Sequence, residues 1–63
     1  MITLRELATT LAALIFWRDE ITQSGNRSAR PYLKEVGMSG IQPLDADEIE
    51  RLSAKLRSLP VSE

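Results

Sequence analysis

The chain reads as an all-α fold, a small bundle of one long, one short and one medium helix, on three observations. Apolar residues recur at three- and four-residue spacing in two segments, each segment opens with a helix-capping signature, and Gly and Pro fall between the segments. All 63 residues fit one small helical domain, residues 1–63, with 43 % hydrophobic and 27 % charged side chains and no low-complexity run.

The first helix starts at Thr3-Leu4-Arg5-Glu6, a capping box in which the Thr3 hydroxyl takes the Glu6 amide and the Glu6 carboxylate returns to the Thr3 amide. No Gly or Pro interrupts from there to Ile21, which predicts a long helix. Leu4, Leu7, Ala8, Leu11, Leu14 and Ile15 share about 120° of arc at 100° per residue, a core-facing stripe. The stripe widens over Leu14, Ile15, Phe16 and Trp17, a turn apolar over most of its circumference. Arg18 falls within the stripe. It is expected to snorkel at the rim over its own aliphatic stem, with a carboxylate partner or an anionic ligand as the alternatives.

The polar run Gln23 to Ser28 reads as a loop. Pro31 suits the first turn of a short second helix whose apolar side holds Tyr32, Leu33 and Val36 before Gly37. Met38 to Leu44, with Gly40 and Pro43, reads as an irregular connection pinned to the core by Met38, Ile41 and Leu44. Asp45 and Glu48 form the second capping signature, and the third helix follows with Ile49, Leu52, Leu56 and Leu59 on one face and Pro60 as its stop. Asp45, Asp47, Glu48 and Glu50 near its start and Lys55 and Arg57 near its end suit the helix dipole, so these charges need no functional explanation. The first and third helices are expected to lie antiparallel.

Size limits the core. A folded chain of 7.1 kDa exposes about 4,000 Å² and buries roughly 60 % of its unfolded surface, which is little to hold a fold together. With no Cys for a disulfide and no His, neither a cross-link nor a Cys/His zinc site adds stability. Two short segments cannot wrap the apolar turn around Trp17 on every side, so self-association as a dimer or higher form is expected. The binding residues predicted there are Leu14, Phe16 and Trp17.

Catalytic chemistry finds few candidates, and the expectation is a protein that is not an enzyme and holds no cofactor or metal. The lack of His and Cys removes the commonest general base and the thiol nucleophile. Asp45-Ala46-Asp47 lacks the later glycine and the terminal glutamate of a calcium loop, and Gly25, Gly37 and Gly40 lie in no phosphate-cradling frame.

Thr3 to Ala8 looks like the opening helix of a helix-turn-helix, but Thr9 to Ala13 continue the helix where the turn should fall. Using the third helix for recognition instead would present Asp45, Asp47, Glu48 and Glu50 to phosphates, which repel them. The formal charge of −1 supplies no general field for nucleic acid or an anionic membrane. That charge is unevenly spread: −1 over residues 1–22, +2 over 23–42 and −2 over 43–63. The positive part holds Arg27, Arg30 and Lys34, which with Tyr32 beside them form the second predicted binding group.

The apolar run Leu7 to Trp17 is too short to span a bilayer and lacks the flanks of a signal peptide, so no membrane partner is expected and a cytoplasmic location is. The function expected is a protein–protein interaction or regulatory module, with itself and another protein as partners. Two alternatives stand beside it: a nucleic-acid-associated regulator whose dimer gathers two copies of the basic cluster, and a small-molecule-binding bundle with a pocket near Trp17.

Overall fold

The computed structural model describes residues 1–62 and is predominantly helical. In chain order the elements are a two-residue strand β1 (Ile2–Thr3), helix α1 (Leu4–Phe16), a π-helical turn (Trp17–Ile21), a 3-10 turn (Thr22–Ser24), helix α2 (Asn26–Glu35), helix α3 (Ala46–Arg57) and strand β2 (Val61–Ser62). Three helices in an all-α arrangement match the expectation, and each element departs from it in instructive ways.

Both capping boxes form. The Glu6 amide donates to Thr3 Oγ1 at 3.0 Å while the Thr3 amide donates to Glu6 Oε1 at 2.7 Å. At α3 the Glu48 amide donates to Asp45 Oδ1 at 2.9 Å and the Asp45 amide to Glu48 Oε1 at 3.1 Å. Each box satisfies backbone donors that a helix start otherwise leaves open.

The first helix was expected to stay α-helical to Ile21; it changes its hydrogen-bond pattern at Trp17 instead. The Thr22 amide reaches back to the Trp17 carbonyl, five residues away, so the turn carries one residue more than an α-turn. A 3-10 turn follows, and the Gln23 to Ser28 segment read as a loop is thus largely helical. Gly25, with φ 84°, supplies the single break between this path and α2.

Helix α2 is longer than expected, at 10 residues, and Pro31 lies inside it instead of in its first turn. The proline has no N–H for the Arg27 carbonyl, which weakens the middle of the helix. Its C-terminus is firmly closed: the Met38 amide donates to the Leu33 carbonyl at 2.8 Å and the Gly37 amide to the Lys34 carbonyl at 3.0 Å. Gly37 adopts φ 74°, the left-handed conformation that this double closure needs.

No strand was expected, yet β1 and β2 pair in parallel, Ile2 with Val61 and Thr3 with Ser62. This joins the start of α1 to the end of α3, and Arg18 past the other end of α1 reaches Glu50 in the first half of α3. Helices α1 and α3 therefore run antiparallel, as expected.

The core is small: Leu7, Ile21, Ala29 and Ile49 are the buried hydrophobic residues among those described. Met38 and Ile41 do not pin the connection, since both are mostly exposed; Leu44, 39 % exposed, and the half-buried Pro43 line a small pocket with Trp17 and Ala29. Leu59 is likewise exposed. The molecule measures 36 × 23 × 15 Å with a radius of gyration of 12.6 Å, against about 10.6 Å for a compact chain of this length.

Candidate interaction surface

The π-turn decides where Trp17 and Arg18 go. Arg18, one-third exposed, donates from Nε to Asp19 Oδ1 at 2.8 Å and from a terminal nitrogen to Glu50 of α3. The arginine expected at the rim thus takes the carboxylate alternative, and Ile21 is buried one turn further on. The hydrogen bonds that Arg18 donates to Asp19 and Glu50 raise its pKa further above its already high value, and the same guanidinium lowers that of Asp19. The Thr22 hydroxyl donates to the Arg18 carbonyl and the Ser24 hydroxyl to the Glu20 carbonyl. Both hydroxyls are thereby committed to the backbone of the turn.

Trp17 is half-buried. Its ring meets Tyr32 of α2 edge-on, with centroids 6.0 Å apart at 68°. Two residues assigned to separate binding groups therefore touch one another, and their contact joins α2 to the first helix. Leu14 is also half-buried. Of the three apolar residues expected at the interface, Phe16 alone stands mostly free, so the turn is not an open apolar ring.

Arg27, which falls in the segment read as a loop, joins Arg30 and Lys34 in α2 itself, and all three are exposed. At 100° per residue they share about 60° of arc, roughly opposite the buried Ala29 and well away from Tyr32. The basic cluster is a single helical row without the tyrosine. Among the described residues, the ion pairs are those of Arg18, so this row is not neutralised within the chain.

The apolar surface is more extensive. Leu4, Ile15 and Phe16 on α1, Tyr32 on α2, and Val36, Met38, Ile41 and Leu44 beyond it are all exposed. An open groove of about 1080 Å³ runs between the start of α1 and the end of α3, with Ile2, Leu4, Leu56 and Leu59 along it. The pocket beside Trp17 holds only about 100 Å³, below the roughly 300–1,000 Å³ of small-molecule sites. Among the described residues no three His, Cys, Asp or Glu side chains converge as a metal site would require, and no helix is long and apolar enough to cross a membrane.

No protein family, curated protein or solved structure matches the chain. Its function must therefore be argued from this surface.

Proposed function

We propose that this chain is a non-enzymatic protein–protein interaction module that acts as part of a larger helical assembly. One observation carries the reading: the chain exposes 5042 Å², whereas a compact monomer of 7.1 kDa exposes about 4,000 Å². The excess of about 1,000 Å² compares with the roughly 800 Å² that each partner contributes to a standard interface. Large apolar side chains, Leu4, Ile15, Phe16 and Tyr32 among them, are exposed, and exposed apolar patches mark association surfaces. The absence of His and Cys, with the hydroxyls of Thr22 and Ser24 turned to the backbone, supports a role without catalysis.

The basic row of α2 supports a second reading, a nucleic-acid-associated regulator. Three cations in one row are few for that task, and the chain as a whole is acidic. Capture of partners from the source cell separates the two readings. A protein retained after nuclease treatment and through a high-salt wash supports the interaction module. Capture that disappears with nuclease, or in an Arg27→Gln, Arg30→Gln, Lys34→Gln variant, favours nucleic acid. Capture of neither overturns both.

A further inference from the structure

We infer that two copies of this chain pair antiparallel through the outer face of α1, the row Leu4, Ala8, Ala12 and Phe16 of one copy packing on the same row of the other. This deepens the interaction-module reading by naming one partner.

Side chains four apart on an α-helix form continuous ridges, and α1 carries two of them side by side. Leu7, Leu11 and Ile15 make the ridge turned toward α3, with Leu7 buried and Leu11 half-buried. Leu4, Ala8, Ala12 and Phe16 make the next ridge, and every member is exposed, Leu4 at 50 % and Phe16 at 54 %. Leu4 at its start also borders the groove toward Leu56 and Leu59. The row contains no polar residue over the whole length of α1, about 20 Å at 1.5 Å per residue.

The order of sizes identifies the occupant. Read in either direction the row runs large, small, small, large, with its centre at Thr10. A two-fold axis between Ala8 and Ala12, at the height of Thr10 but on the opposite side of the helix from it, sets Ala8 against Ala12 of the partner copy, and Leu4 against its Phe16. The alanines let the two backbones approach closely at the crossing while the bulky residues close each end. Ridges of this four-residue kind pack at about −50° to one another, the commonest helix crossing. A surface complementary to itself under a two-fold rotation is what an isologous dimer requires, and an unrelated partner would not impose it.

Charge sets the direction. Arg5 borders the row at the start of α1, and Glu20 follows its end, four residues past Phe16, next to an Asp19 already paired with Arg18. An antiparallel pair turns each Arg5 toward the acidic end of the other copy, whereas a parallel pair brings like charges together. The near-zero net charge leaves little general repulsion between copies.

Sedimentation equilibrium over a concentration series tests the pair, with a mass of twice 7.1 kDa expected. Ala12→Glu should raise the dissociation constant by about 100-fold or more by placing a charge at the closest approach. The helix should survive, because Ala12 is exposed and glutamate is a good helix former. Ala13→Glu, also exposed but one ridge away, should leave the mass unchanged. Since the chain has no cysteine, oxidation of a mixture of Leu4→Cys and Phe16→Cys chains should yield the mixed disulfide, with little from either chain alone.

A monomer at every concentration, a dimer indifferent to Ala12→Glu, or Leu4→Cys chains that cross-link to themselves would each overturn the antiparallel pair. A monomer that still captures a protein from the source cell in the earlier experiment would overturn the pair and leave the interaction module standing. A dimer that captures nothing would do the reverse.

Discussion

The α1–α3 pair and the connection from Gly37 to Leu44 contain similar apolar side chains and use them in opposite ways. In the pair, Leu7 and Ile49 are buried, and the contact is held at one end by Arg18 and Glu50 and at the other by β1 and β2. In the connection, Met38 and Ile41 face solvent. The difference lies in the supply of partner surface. The two helices lie face to face along their length, whereas the connection brings Met38 and Ile41 against no such face, although α1 leaves Leu4 and Phe16 exposed elsewhere. Hydrophobicity sets a tendency to bury, and geometry decides which residues can.

The strongest test of that contrast substitutes one isoleucine from each region. Ile49→Ala, at a site 2 % exposed, should cost about 2–5 kcal/mol, enough to unfold much of so small a protein. Ile41→Ala, at a site 61 % exposed, should change stability by less than about 0.5 kcal/mol. Urea denaturation of the two variants reads both values, and a comparable loss at Ile41 would show that the connection is packed after all.

A smaller effect sharpens the boundary between the regions. Gly37 closes α2 at φ 74°, and no atom stands within 4 Å of where a Cβ would lie. Gly37→Ala should therefore cost only the left-handed backbone penalty, about 1–2 kcal/mol. A neutral result would mean that the closing turn rearranges at no cost, and a much larger loss would reveal crowding.

The smallest expected effect concerns acid. Hydrogen bonds from Thr3 lower the pKa of Glu6, and Arg18 lowers that of Asp19. Each carboxylate holds its charge in the folded state at a pH where the unfolded chain has begun to take up protons. Their contribution is thus present above the ordinary carboxylate range and lost as pH falls through it. The melting temperature should decline between about pH 5 and pH 3, and less steeply in a Glu6→Gln, Asp19→Asn variant. Because both groups are exposed the change in slope is small, and an unchanged slope would exclude them as its source.

The parts of the fold legible in the sequence are those specified by near neighbours. The two capping boxes, the end of α2 at Gly37 and the face of α3 carrying Ile49 each depend on residues within five positions, and all form as expected. What escaped depends on distance. The π-turn is coupled to an ion pair between Arg18 and Glu50, 32 residues apart, and the strands pair residues from opposite ends of the chain. Pro31 misled for a different reason: its preference for the first helical turn is statistical, while the break at Gly25 sets where α2 begins.

The candidate surface divides along the same line. Phe16 was identified by its position on the apolar turn and is exposed. Leu14 and Trp17 turn inward, Trp17 because Tyr32 is there to receive it. The helical spacing of Arg27, Arg30 and Lys34 was already visible in their numbering, but could be used only once the region was known to be helix.

The small parallel sheet also has a mechanical meaning. Because β1 and β2 run in the same direction, tension entering at residue 2 and leaving at residue 62 acts along the strands in opposite senses. The clasp is loaded in shear, so its bonds share the force and do not open in succession. Everything between the strands, including all three helices, is bypassed by that load until the clasp gives way. Four residues thereby act as a mechanical fuse: a pull on the chain is felt first at Ile2 and Val61, and by the core only afterwards.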